Sequence, residues 1–84
     1  MLKTTIVSPE RTLFAGEAEK VFVPGAAGRF EILTGHAPIV SILSAGTVRC
    51  EGVGEPFEVA VSGGFVEVAR DEVSVCVECS AQDA

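Results

Sequence analysis

Two stretches constrain this chain more than any other. In "PFEVAVS" the larger apolar side chains fall on every second residue, Phe57, Val59 and Val61, with Glu58, Ala60 and Ser62 between them; in "DEVSVCVEC" Val73, Val75 and Val77 do the same. A period of two is the spacing of a β-strand with one face buried and the other in water. No window carries a sustained 3.6-residue apolar period, so the chain is read as all-β. Further strand candidates are Leu2 to Ser8, Leu13 to Phe14, Glu19 to Val23, Arg29 to Leu33, Pro38 to Leu43, Gly46 to Glu51 and Phe65 to Arg70. The joints between them are Ser8-Pro9-Glu10, Pro24-Gly25, Thr34-Gly35, Ala45-Gly46, Gly52-Val53-Gly54, Ser62-Gly63-Gly64 and Arg70-Asp71, which offer fixed φ, positive φ or local side-chain hydrogen bonds. Such spacing predicts a flattened β-sandwich or barrel of about ten short antiparallel strands.

A chain of 84 residues forms one domain, residues 1–84, because a fold of that size buries only about 60 to 65% of its unfolded surface and cannot support two cores. Its 48% hydrophobic content suffices for a packed interior. Ser80 to Ala84 is small and polar and is expected to be mobile. The formal charge of −6 leaves nothing to neutralise a run of phosphates, which argues against a nucleic-acid partner and for a protein one. No apolar stretch approaches the roughly 18 to 20 residues of a membrane span, and "MLKTTIVSPERTLF" has no signal-type core, so a soluble intracellular protein without direct membrane insertion is expected. Cys50, Cys76 and Cys79 are too few and odd in number for a disulfide framework, in keeping with a reducing compartment.

Three runs break the alternation: "TIV", "KVFVP" and above all "PIVSIL". In the last, Ile39 and Leu43 point one way while Val40 and Ile42 point the other, so both faces are apolar. A sandwich strand has one face against the core, and the outer one must then be covered either by a loop folded over it or by another protein.

Residues able to carry chemistry do not assemble into a site. "CVEC" has metal or redox spacing, but side chains at i and i+3 of a strand project from opposite faces, the two further ligands of a tetrahedral site could come only from Cys50 and His36, and no helix follows to lower a thiol pKa. Cys50 is expected in the core on the Val48 face. "VPGAAGRFEILTG" lacks the helix and lysine of a phosphate loop, so Gly25 and Gly28 are read as turn residues. His36 has no nucleophile elbow or paired acid, although Ser41, Ser44 and Ser62 are nearby or plausible in space; a turn or contact role is expected. The carboxylates Glu51, Glu55, Glu58, Asp71 and Glu72 fall at outward or turn positions.

"FAGEAEKVFVPGAAGRFEILTGHAPIVSILSAGTVR" followed by "VSGGFVEVARDEVSVCVE" resembles the N-terminal domain of the epsilon subunits of F-type ATP synthases, called delta in mitochondria. The likeness runs from about Ile6 to Glu78 through Val7-Ser8-Pro9, Leu13-Phe14, Pro24-Gly25, Gly35-His36-Ala37-Pro38, Gly46-Thr47-Val48-Arg49 and Ser62-Gly63-Gly64-Phe65-Val66-Glu67-Val68. It implies a non-catalytic β-sandwich of the central stalk, clasping the gamma subunit and resting on the c ring, without cofactor or metal. His36, Ala37, Pro38, Val40 and Ser41 would then face gamma, and Ala26, Ala27, Gly28, Arg29 and Phe30 would meet the c ring. Gly25, Gly35, Gly63 and Gly64 would set backbone geometry at turns. The absence of a targeting segment favours the cytoplasmic face of a bacterial inner membrane.

There are departures. Gly28-Arg29-Phe30-Glu31 stands where many relatives read Gly-Glu-Phe-Gly, and Thr34-Gly35-His36 where they read Pro-Gly-His. The chain also ends at Ala84, where family members often continue into a C-terminal helical pair; that hairpin, and the nucleotide site it carries, is expected to be missing. The competing reading is a small all-β ligand- or metal-binding domain using His36 and the cysteines.

Overall fold

A computed structural model describes residues 1–52 and 54–79. Among these, eight strands follow one another: β1 (Leu2–Val7), β2 (Thr12–Ala18), β3 (Lys20–Gly25), β4 (Gly28–Leu33), β5 (Ile39–Leu43), β6 (Gly46–Glu51), β7 (Phe57–Ala69) and β8 (Glu72–Cys79). The all-β reading holds, and Gly46–Glu51 is found as expected. Val53 of the Gly52-Val53-Gly54 joint and the expectation for residues 80–84 lie outside the described residues.

The pairing closes on itself. The first half of β7 pairs with β6, β6 with β3, the end of β3 meets β5 at Gly25 and Leu43, and β5 returns to the second half of β7. From this flattened ring β8, β1 and β2 extend one layer and β4 extends the other. The first layer is thus β2-β1-β8-β7-β5 and the second β7-β6-β3-β4, with β7 shared; the smallest dimension, 18 Å, fits two sheets about 10 Å apart.

Two details differ from the expectation. The strands are fewer than about ten because Phe57–Val61 and Phe65–Ala69 are not two strands joined by a hairpin at Ser62-Gly63-Gly64 but one 13-residue strand. A β-bulge between Val61 and Gly63 shifts its register against β8. The inserted residue changes the phase of the alternation: Val61 faces the core before it, Val66 and Val68 after it. Ser62 is the extra residue, and Gly63 and Gly64 lie within the strand just after the bulge rather than in a turn. At Gly64, with φ 144°, a Cβ would lie 2.1 Å from the Cys76 carbonyl oxygen, so β7 and β8 can approach only over a glycine. The second difference is that β1 and β8 pair in parallel, an arrangement open to them because nearly the whole chain lies between and serves as the crossover.

The interior follows the alternation. Leu2, Ile6, Val21, Val23, Ile32, Val48, Val61, Val66, Val68, Val73, Val75 and Val77 are buried, and Cys50 lies with Val48 in the core as expected. The one buried polar residue among those described, Thr4, donates its hydroxyl to the Leu2 carbonyl at 3.1 Å, so its burial leaves no hydroxyl proton unpaired.

Candidate docking surface

Inward alternation fixes what each strand shows to the outside. On the first layer Val66 and Val68, Val73 to Val77, and Leu2 to Ile6 fill the core on every second residue, so their neighbours Phe65 and Glu67, Ser74 and Cys76, and Thr5 and Val7 face outward. Register then aligns them. Ile42 stands opposite Phe65, Phe65 opposite Cys76, and Cys76 opposite Val7, an apolar row across four strands that spans roughly 15 Å at the usual strand spacing. The next row is Val40, Glu67, Ser74 and Thr5. Val40 is 69% exposed, Ile42 64% and Phe65 40%. No loop among the described residues folds over them, so of the two covers the sequence left open, a loop of the chain is not found among the described residues.

Two shallow grooves flank the rows. One, of about 310 Å³, is bounded by Val7, Ser8, Pro9, Phe65, Cys76 and Glu78; the other, of about 320 Å³, runs between Pro38 to Val40 and Glu67 to Ala69. The irregular runs "TIV" and "PIVSIL" are explained by this face, since Val7, Val40 and Ile42 are the residues that spoil the alternation. Phe65 and Cys76, which the sequence reading did not assign to it, complete the row; their signal was the cross-strand register, which a single sequence does not print.

The residues expected to meet gamma do not share one face. Val40 joins the outer rows, but Ser41 lies on the opposite side of β5, paired with buried Val66, and its hydroxyl is 3.4 Å from the Ile42 carbonyl. His36, Ala37 and Pro38 form the entry to β5. The His36 amide donates to the Leu33 carbonyl at 3.0 Å, closing a β-turn whose third residue, Gly35, has φ 87°, the geometry of a type II turn. The His36 ring turns back on its own chain, with Nδ1 2.7 Å from the Ala37 carbonyl oxygen, and is half-buried 6.5 Å from the Phe30 ring.

The second expected set lies on the β3–β4 hairpin, where Gly25 pairs with Gly28 across the exposed Ala26 and Ala27. The Ala26 amide donates to the Ile42 carbonyl at 2.9 Å, so the hairpin tip adjoins the apolar row where β5 ends. Arg29 is exposed, but one of its N–H groups donates to the Thr47 carbonyl at 3.1 Å and its guanidinium lies 5.9 Å from the centre of the Phe22 ring. Phe30, half-buried, packs against the core rather than projecting from the tip.

The outer face of the second layer has a different character. Across it Glu31, Phe22, Arg49 and Glu58 stand in register. Arg49 bonds Glu51 at 2.5 Å and also Glu58; these two hydrogen bonds, that to Glu51 first, hold its guanidinium pKa above the ordinary value. The thiols are dispersed. Cys50 is in the core, where burial pushes its pKa up to about 11. Cys76 lies on the apolar row, and Cys79 borders a separate groove beside Leu13, Phe57 and Val59. Among the described residues no three His, Cys, Asp or Glu side chains gather as metal ligands would.

Residues 1–82 match the family described as the β-sandwich domain of the ATP synthase delta/epsilon chain. The chain is 45% identical over 73 residues to the ATP synthase epsilon chain of Desulforamulus reducens, covering 87% of this chain and 55% of that one. To the epsilon chain of Parvibaculum lavamentivorans it is 41% identical over 78 residues, 92% of this chain and 59% of that one. It thus spans a little over half the length of these relatives. Among solved structures it superposes on a chain of the Euglena gracilis mitochondrial ATP synthase (OSCP/F1/c-ring) with a TM-score of 0.82 at 22% identity, covering 90% of this chain and 49% of the other. A chain of the Tetrahymena thermophila mitochondrial ATP synthase central stalk and c-ring gives 0.74 at 14% identity, covering 92% and 63%. At those identities the likeness is one of fold, and it agrees with the two-layer pairing described above. By profile, sequence and architecture together, the chain belongs to the family of ATP synthase delta/epsilon-chain β-sandwich domains.

Proposed function

We propose that the chain is a non-catalytic rotor domain of a proton-translocating F-type ATP synthase, in the central stalk, where it binds the gamma subunit and the c ring and keeps proton flow coupled to ATP synthesis. The observation that carries this reading is the uncovered apolar row Ile42, Phe65, Cys76 and Val7 in a member of this family. Apolar side chains left in water across four strands gain free energy when a partner covers them, at about 25 cal/mol per Å² of apolar area removed from water. Gamma is the proposed cover, reaching from the row and Val40 to the entry turn at His36, Ala37 and Pro38. Ser41 would act through the strand backbone rather than as a contact.

The hairpin Ala26, Ala27, Gly28, Arg29 and Phe30 is the proposed c-ring contact, with Ala26 and Ala27 at the tip and Phe30 as its support. Arg29 uses one of its five N–H donors on Thr47, leaving others for an acid or carbonyl of the c-ring loop. The domain would sit peripherally on the cytoplasmic face of a bacterial inner membrane; no helix among the described residues is long and apolar enough to cross a membrane. The competing reading of a ligand or metal site built from His36 and the cysteines gains no support from thiols that lie in three separate places.

Calorimetric titration of the chain with its cognate gamma subunit tests the main assignment. Association should be lost in a His36→Ala, Val40→Asp double variant that keeps its fold. No association of the unaltered chain at tens of micromolar would remove gamma as the cover. For the hairpin, Arg29→Glu should weaken docking on the cognate c ring at low salt, and equal docking would count against the acid or carbonyl partner.

A further inference from the structure

The β7–β8 hairpin turns through Arg70 and Asp71, which have φ 53° and 60°. With Ala69 paired to Glu72, these are the two central residues of a turn of the I′ kind, a place where Gly or Asn is the low-strain choice. Two residues with full side chains held in left-handed geometry call for a compensating interaction, and Asp71 makes two. Its backbone carbonyl accepts from the Lys3 amide at 2.9 Å, tying down the start of β1. Its half-buried carboxylate accepts from the Gly35 amide at 2.7 Å, 36 residues away in the chain.

That second bond reaches the turn that delivers His36. Without it the Leu33 to His36 turn would rest on one hydrogen bond of its own, from the His36 amide to Leu33. Gly35, at the centre of the turn, is exposed and has no side chain of its own to hold it, and a Cβ built there would meet nothing within 4 Å. A charge-assisted bond from a β-hairpin then restrains the centre of the turn, beside the contacts that the His36 ring makes with the Ala37 carbonyl and near Phe30. We propose that Asp71 is a positioning residue that holds the Gly35 to Pro38 segment in its docking conformation, so that ordering it costs little when a partner arrives. The docking half of this statement rests on the function proposed above; the anchoring half does not.

The test uses two substitutions. Asp71→Gly removes the carboxylate while favouring the left-handed backbone, so the hairpin should fold, and Asp71→Asn keeps an oxygen acceptor at the same place. Amide hydrogen exchange at Gly35 in the free chain should speed up about tenfold or more in Asp71→Gly and recover much of the way in Asp71→Asn, as expected for losing and restoring a hydrogen bond to a charged group. Affinity for gamma should fall in Asp71→Gly, recover in Asp71→Asn, and fall no further in Asp71→Gly, His36→Ala than in His36→Ala alone. Unchanged Gly35 exchange in a folded Asp71→Gly chain overturns the proposal. So does a loss of affinity that adds in full to that of His36→Ala, because the carboxylate would then act elsewhere. If exchange responds but neither Asp71→Gly nor His36→Ala alters gamma binding, the anchor stands and the docking role of the turn falls.

Discussion

The two outward faces of this sandwich are built by one rule and end up opposite in chemistry. On the first layer the rule delivers Val7, Cys76, Phe65 and Ile42 to the surface; on the second it delivers Glu58, Arg49, Phe22 and Glu31. The second face answers its own needs. Arg49 is held by two carboxylates, and the Arg29 guanidinium lies over the Phe22 ring. Among the described residues the first face has no such internal partners, and its largest side chains stand exposed. The contrast teaches that an outward aromatic is not by itself a signal for binding: Phe22 and Phe65 both point outward, but only Phe65 lies in an apolar row that the described residues leave uncovered.

What divides the faces is the bulge in β7, and the largest effect should come from breaking the close β7–β8 approach just after it. Gly64→Ala forces a Cβ against the Cys76 carbonyl in a backbone conformation that L residues rarely adopt, and should cost about 3 kcal/mol or more in urea unfolding. Gly63→Ala is the control. A Cβ there meets only the Leu43 carbonyl at 3.7 Å, an ordinary contact, and the cost should stay below about 1 kcal/mol. Equal costs would show that the β7–β8 pairing does not depend on the close approach at Gly64.

A smaller effect comes from the layer between the faces. Burial pushes the Cys50 thiol from 9.0 to about 11, so the folded chain holds that proton more tightly than the unfolded one. Stability should therefore be level with respect to this group below pH 9 and fall between pH 9 and 11, by on the order of 1 to 2 kcal/mol, with the dependence removed in Cys50→Ala. Alkylation sharpens the same point. At pH 8 an uncharged reagent should modify the half-exposed Cys76 and Cys79 and spare Cys50 until the chain unfolds; a bulky adduct on Cys76 should also block gamma binding. The smallest effect is expected on the second face, where Arg49→Ala exchanges exposed ion pairs for water and should move the urea midpoint little at 0.15 M salt. It should leave gamma affinity unchanged within about threefold, since an exposed charge away from an interface contributes little to it.

Much of this was legible in the residues. The alternation of Val73, Val75 and Val77 placed β8 with its buried face, Gly46–Glu51 was bounded by its turn residues, and the double-sided apolarity of "PIVSIL" exposed the presence of a surface needing a cover. The change of phase between Val61 and Val66 was legible too, but a phase change and a hairpin break the pattern alike. Only the pairing with β8 tells a bulged strand from two strands. The membership of the surface was harder. Phe65 and Cys76 join Ile42 and Val7 through register between strands far apart in sequence, and the tie from Asp71 to Gly35 depends on a turn conformation that Arg-Asp seldom adopts. Local pattern determines which way a side chain points, and tertiary pairing determines its neighbours.

The most direct test of the central claim sets the two outward phenylalanines against each other. The chain, Phe65→Asp and Phe22→Asp would each be titrated with the cognate gamma subunit by calorimetry, after confirming that all three unfold at similar urea concentrations. If the uncovered apolar row is the docking face, Phe65→Asp should lose roughly 100-fold or more in affinity, the scale of an interface hot spot, while Phe22→Asp stays within about threefold of the unaltered chain. Equal losses, or a larger loss for Phe22→Asp, would contradict the assignment and move the gamma contact to the charged face.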